Sequence, residues 1–533
     1  MRALSARITI TLAGLLAAYP SHTQTSESPK PAQRIFETDV TNDLNLSSGE
    51  PEIAVDPTDP RNLAIVEFAV GSAEVPTFER NPIMDVKTPQ ERQSAMASDG
   101  RVMLSRDGGN TWTARAPPAH ERDHAGGGDP MIAYGPDGTL YVADEPFPKD
   151  PAGAPGDMSR YTFVITASRD GGKTFSTPQF VGTPVDRPWL KVDQSTGDVY
   201  TVSTGFYDPQ TKQLGKPGGG AIRDRWLVAW KPHLAAKSKP RRLGGPDFGV
   251  TSGNGLAAAH GIVAATFVLG TEREGPMPAQ RGPMPESLEG LLPAGTTTCT
   301  PAAPCLFFET STDKGRHWAR HHVPTQGEFA GFFVNVAADP GRRGRFAVLY
   351  AIGSGRSSGM GDLGSGNQLA VMVTDDAGIT WSAPVIIPET ATGKDFKYWM
   401  DYGPTGVLGA MWRKERSDLA TPRPSSPIPD PMAPYRPWGA PYDIYADISC
   451  DGGKTWAAPV RVNAATSPSG YVNQDDFSYI ALDAHYAHLV WGDRRMVSKV
   501  KNTPLGTGGL QVFYGRVPFS ALSGAAACAA QPR

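Results

Sequence analysis

Charged and protonatable residues gather in short phrases along the chain. They are His120-Glu-Arg-Asp-His124 with Gly126-Gly-Gly-Asp129 behind it, Asp186-Arg187, Lys397-Tyr398, Arg413, Asp475-Asp476 and Asp493-Arg494-Arg495. Arginine holds a carboxylate through two parallel hydrogen bonds. A neighbouring His, Tyr or carboxylate can move a proton. The mixture suits an acidic sugar. Arg187, Arg413 and Arg494 would clamp it, Asp129 and Asp475 would add binding groups, and His124 or Tyr398 would transfer the proton. Two chemistries fit: a retaining hydrolase with Tyr as nucleophile, outside the two-carboxylate scheme, or a lyase with a base near the acidic C–H of a uronate. Each residue also has a packing alternative. Arg187 can pair with Asp186, His124 can be solvated beside its glycines, and Tyr398 can pack in a core. Arg413 and Arg494 can form structural ion pairs, and Asp475 can cap a turn.

Residues so far apart need a scaffold that returns the chain repeatedly to one place. A repeat supplies it: Ser/Thr-x-Asp-x-Gly-x-Thr-Trp, with variation, occurs five times. The copies are Ser105–Trp112, Ser168–Phe175, Ser311–Trp318, Thr374–Trp381 and Ser449–Trp456. The carboxylate can accept backbone N–H groups inside a turn. Glycine supplies a backbone conformation other residues resist, and the aromatic residue folds back as a plug. These aspartates are therefore structural. Their spacings are 63, 143, 63 and 75 residues, so one unit near the middle lacks the motif, and units of this size suit four-stranded propeller blades.

A second pattern counts the units. Seven pairs of short apolar strands open at Glu52, Met131, Trp189, Leu256, Val334, Tyr398 and Tyr479. The last unit has only Leu510–Val517 after its hairpin, so Arg34–Val40 is expected to supply its fourth strand and close the ring. The reading is an all-β, single seven-bladed propeller of four-stranded antiparallel blades, with six blades as the alternative. Pro/Gly-rich insertions at 205–221, 270–304, 353–366 and 413–441 fall between second and third strands, and so on one face.

The five turns resemble the Asp boxes of sialidases and bacterial neuraminidase-repeat proteins over roughly 45–520. Glu50-Pro-Glu-Ile-Ala-Val-Asp-Pro57, Gly128-Asp-Pro-Met-Ile-Ala-Tyr134 and Asp186-Arg-Pro-Trp-Leu-Lys-Val-Asp193 are similar to phrases of a secreted sialidase-like group. The resemblance implies a carbohydrate-active propeller acting at a channel mouth on terminal acidic sugars, either as an exo-sialidase-like hydrolase or as a uronate-cleaving lyase. The alternative is a non-catalytic propeller that binds glycan or protein. Sialidases carry Phe/Tyr-Arg-Ile-Pro near their first strand. The nearest match here, Gln33-Arg34-Ile35-Phe36, lacks the proline and lies in the closing strand.

The remaining features bound the setting. Arg2 and Arg7 followed by apolar Ile8–Ala18 read as a secretory signal within 1–24, with the propeller over 33–522 and a tail over 523–533. The run is too short to span a bilayer. A secreted or periplasmic, monomeric protein is expected. Export permits disulfides, and Cys299 with Cys305 and Cys450 with Cys528 is the preferred of three pairings. A net charge of −3 supplies no basic field for nucleic acid. No cofactor motif or zinc spacing occurs, and a structural Ca²⁺ among loop carboxylates stays open.

Overall fold

A computed structural model describes residues 35–44, 46–71, 101–115, 124–148, 163–182, 186–208, 213–215, 222–243, 255–269, 305–326, 334–353, 366–389, 393–419, 441–468, 477–496, 510–522 and 528. The strands form seven antiparallel sheets arranged in a ring. The innermost strands of blades one to seven are Leu46–Val55, His124–Tyr134, Asp186–Val192, Leu256–Ala259, Asn335–Ala338, Asp395–Tyr402 and Ser478–Leu482. Each lies against the innermost strand of the next blade, and the seventh returns to the first. Six sheets have four strands. Blade three has a fifth, because its second strand, Val199–Asp208, runs on and pairs with Gln213–Gly215.

Phe36–Asp39 closes the ring as the outer strand of blade seven, with Phe36 opposite Arg516 and Asp39 opposite Phe513. Side chains reinforce this seam. Arg495 Nη2 donates to Glu37 Oε1 at 2.8 Å. Thr41 Oγ1 donates to Glu67 of blade one at 2.8 Å and accepts the N–H of Val512 at 2.8 Å. Glu67 is fully buried and paired with Arg101.

The five Asp turns share one construction. In blade one, Asp107 Oδ1 accepts the N–H of Thr111 at 2.9 Å, and Oδ2 accepts its hydroxyl at 2.6 Å. Ser105 Oγ accepts the N–H of Gly109 at 2.9 Å. The aspartate is exposed, so the turn is held by local geometry, not by a buried acceptor. The inward-facing part is the glycine two residues after the aspartate. Gly109, Gly172, Gly315, Gly378 and Gly453 all have positive φ. A Cβ on them would strike Tyr514, Leu104, Leu227, Phe308 and Val373 respectively, each in the preceding blade. Trp112 and Trp381 continue that contact, edge-on to Tyr514 at 5.2 Å and Phe308 at 5.1 Å. Blade three, which lacks the motif, turns instead through a short 3₁₀ segment, Pro232–Leu234. There His233 contacts Asp137 and donates its N–H to Tyr141 Oη at 2.9 Å, both in blade two.

Cys450, in the Asp turn of blade six, is bonded to Cys528 across 78 residues. Cys305 is also disulfide-bonded; Cys299 lies outside the described residues. Among the described residues no helix is long and apolar enough to cross a membrane.

Candidate functional site

The innermost strands begin at one mouth of the ring and end in short turns at the other. In blades one, two, three and six they are bulged near the start, between Gly49 and Glu52, Gly128 and Met131, Asp186 and Trp189, and Phe396 and Trp399. The first extra residue in each bulge is Glu50, Asp129, Arg187 or Lys397. All four are charged. Bulges re-aim side chains and concentrate near functional sites. Glu50 and Lys397 have φ of 45° and 49°, a left-handed conformation uncommon for residues with a Cβ.

One step along each strand stand Glu52, Met131, Trp189, Leu256, Asn335, Trp399 and Tyr479. Trp189 of blade three stacks on Trp399 of blade six at 5.6 Å and 23°. These blades are three apart in the ring, so the contact crosses the axis. Trp399 also meets Tyr479 at 4.0 Å, and Phe477 lies edge-on to Trp189 at 5.9 Å. The four rings form an aromatic floor. The polar members of the layer tie neighbouring blades together: Glu52 accepts the N–H of Ile132, and Asn335 accepts that of Met400, both at 2.9 Å.

Beyond the floor a cavity of about 550 Å³ opens towards the turn-side mouth. Its wall includes one residue per blade: Ala54, Ala133, Lys191, Ala258, Ala337, Asp401 and Ala481. All seven occupy the penultimate pair before the turn. Burial raises the Asp401 carboxyl above its ordinary range, and Lys191 opposes that rise.

The residues named from sequence fall as follows. His124 begins the inner strand of blade two, opposite Pro148. Asp129 and Arg187 occupy bulges. The side chains of these three, and all of Asp475, lie outside the described residues. Tyr398 is buried among Leu349 and Ala351 of blade five and Trp412 of its own blade, and burial pushes its hydroxyl pKa well above the ordinary value. Arg413 is fully buried on the other face of blade six. Its Nε donates to Ser478 Oγ at 2.9 Å, and its Nη2 donates to the Phe477 carbonyl at 3.2 Å. Its guanidinium lies over the Tyr442 ring at 4.9 Å. Tyr398 and Arg413 therefore do not share a space. Arg494 is half-buried after the second strand of blade seven, and its N–H donates to Ser467 Oγ at 3.1 Å.

The aromatic floor and the Lys191–Asp401 pair escape a reading that picks out charged phrases. Both emerge when the seven inner strands are aligned by their turns, because five of seven residues in the lower layer are then alanine.

No protein-family model matches the chain, and no curated protein matches it. Solved structures do resemble it. A protein of unknown function from Dyadobacter fermentans has 12% identity and a TM-score of 0.44, over 91% of this chain and 99% of that one. A GH93 α-L-arabinofuranosidase of Fusarium graminearum has 12% identity and a TM-score of 0.41, over 92% and 99%. A variant of the NanB sialidase from Streptococcus pneumoniae has 9% identity and a TM-score of 0.40, over 92% and 98%. The assignment of seven blades rests on the strand order described above.

Proposed function

We propose that the chain is a carbohydrate-active propeller that takes a terminal acidic sugar at the mouth where the inner strands begin. The observation that carries this reading is the set of four equivalent bulges, bearing Glu50, Asp129, Arg187 and Lys397, above a floor of Trp189, Trp399, Phe477 and Tyr479. Sugars offer C–H faces to aromatic rings and hydroxyls or carboxylates to charged groups, so the two layers suit the two sides of one ligand. In this reading Arg187 and Arg494 clamp the carboxylate, Asp129 and Asp475 take hydroxyls, and His124 moves the proton. Arg413 holds the Phe477 carbonyl and Ser478 and acts as a positioning residue for the floor, while Tyr398 packs the inner strand of blade six against blade five. The reaction is hydrolysis of a terminal sialoside or elimination at a uronate, and the reading needs no cofactor. The apolar stretch near the N-terminus and the Cys450–Cys528 bond support a secreted or periplasmic protein, and the reading takes it as a monomer built of the signal, propeller and tail set out above.

The test is a screen of the purified protein against α-sialosides and uronate-capped oligosaccharides. Release of reducing sugar and absorbance of a 4,5-unsaturated product are read together. Arg187→Ala is expected to weaken capture by about tenfold or more, and His124→Ala to lower turnover by roughly 10²–10⁴-fold. A closed floor whose rings are engaged with one another also favours a second reading, in which the mouth holds a glycan without cleaving it. Binding without product would select that reading. A protein that neither binds nor converts any anionic glycan would end both.

A further inference from the structure

The cavity on the far side of the aromatic floor has a different chemistry. Its mouth is ringed by turns carrying Pro57, Pro136, Pro340 and Pro404, and proline fixes the backbone so that the opening is preformed. Five alanines keep the interior wide. Lys191 and Asp401 enter this layer from blades three and six, on opposite sides of the axis.

The two charges feel each other, yet among the described residues they form no direct ion pair. Blade six shows what a structural pair looks like, with Lys414 Nζ at 3.1 Å from Asp395 and both side chains almost fully buried. Lys191 and Asp401 are instead only partly covered and stand apart. Asp401 uses Oδ1 to accept the N–H of Tyr402 at 2.9 Å. The other carboxylates on the wall are committed to the frame. Glu52 accepts the N–H of Ile132 at 2.9 Å. Asp56 accepts the N–H of Thr58 at 2.8 Å and the Asn62 amide at 3.1 Å. Asp483 binds His488 at 3.1 Å. Among the described residues Lys191 is thus the one cation on the cavity wall, and Asp401 faces it across a layer otherwise made of alanines, with a single backbone N–H bonded to its carboxylate. Opposite charges held apart on a cavity wall each give up part of their hydration without compensating one another, unless something of matching polarity bridges them.

We propose that this chamber binds a small zwitterion, with the ligand carboxylate on the Lys191 ammonium and the ligand ammonium on the Asp401 carboxylate. The site is separate from the sugar-binding mouth and does not depend on that reading. A zwitterion satisfies both charges with one molecule, whereas a simple anion or cation leaves the opposite wall unanswered. The separation of the charges makes the site a ruler for the distance between the two ends of the ligand.

The full chain is titrated calorimetrically with glycine, β-alanine, γ-aminobutyrate and ε-aminocaproate, with acetate and propylamine as singly charged controls. One chain length is expected to bind best, with the controls weaker by about tenfold or more. Lys191→Met and Asp401→Asn are each expected to weaken binding of the preferred probe by a similar factor. The exchanged protein, Lys191→Asp with Asp401→Lys, is expected to keep it. If a single variant fails to fold, the paired Lys191→Met and Asp401→Leu protein leaves no unbalanced charge, and its circular dichroism reports folding. Loss of binding in that folded protein supports the site. Absence of binding by every probe to the unaltered chain overturns the proposal, and so does undiminished binding by any of the neutralised variants.

Discussion

Carboxylates in this molecule titrate in opposite directions according to what surrounds them. Asp107 receives two N–H groups and two hydroxyls, and these bonds draw its pKa down to about 2. Its contribution to stability is present above the unfolded pKa of about 4 and is lost as pH falls through 2. Because the group is exposed, Asp107→Ala is expected to cost only about 0.5–1.5 kcal/mol and to leave any activity intact. Gly109→Ala should cost more, since it adds strain at φ 88° and drives a methyl into Tyr514. Melting curves of the two variants give the order, and a larger loss for Asp107→Ala would refute this account of the turn. Asp447 is the opposite case. It is fully buried, Oδ1 accepts the N–H of Ile448 at 2.8 Å, Oδ2 has no hydrogen-bond partner, and burial outweighs the backbone N–H groups of Ile448 and Ala457 to raise its pKa to about 7. The folded protein therefore holds that proton more tightly than the unfolded chain does. The associated stability is complete below about pH 4 and disappears as pH rises through 7. Asp447→Asn should stabilise the protein by roughly 1–3 kcal/mol at pH 8 and hardly at all at pH 4. Denaturant titrations at the two pH values decide it, and an equal effect at both would refute the argument.

At the scale of strands, much is legible in the sequence because it is periodic. Seven inner hairpins, five Asp turns and a last blade short of one strand lead to the observed closure by Phe36–Asp39. The site is less legible because neighbouring residues on a strand turn to opposite faces. Trp412 packs towards blade five while Arg413 reaches blade seven, and a charged residue after a tryptophan gives no sign of which face it takes. The fifth strand of blade three is similarly hidden, since Gln213–Gly215 carries no apolar alternation. The closing strand lends itself to a direct test. Deleting residues 1–40 removes Glu37 and exposes the edge of Gln511–Pro518, and open edges recruit other chains. The truncated protein should melt lower and self-associate in light scattering. A peptide covering 35–41, added in trans, should reverse both effects. A monomeric truncation with an unchanged melting temperature would show that the strand is dispensable.

For the molecule as a whole, stability depends on keeping a ring shut, and two covalently distant ties act near its ends. The Cys450–Cys528 bond joins blade six to the tail beyond blade seven. Constraining a loop of this length removes about 2–4 kcal/mol of freedom from the unfolded chain. Cys450→Ser with Cys528→Ser is expected to lower the melting temperature by a few degrees without altering any activity at either mouth, as thermal scans with paired ligand titrations would show. An unchanged melting point would mean that the tail adds nothing. The other tie is the seam itself, where Glu37 meets Arg495 across 458 positions of sequence. This has a consequence for the order of assembly. On a chain made from its N-terminus, Phe36–Asp39 emerges before any blade and has no partner until Gln511–Pro518 follows. Blades one to six can form in succession from neighbours already present, but the seventh must wait for the oldest segment to be brought back. Closing a loop of that length rather than one of blade size adds only about 2 kcal/mol, so the finished ring suffers little. The delay falls on kinetics, because non-local pairing is slow. The last event of folding is then the docking of the first residues made, and until it occurs the molecule is an open arc with two unsatisfied edges.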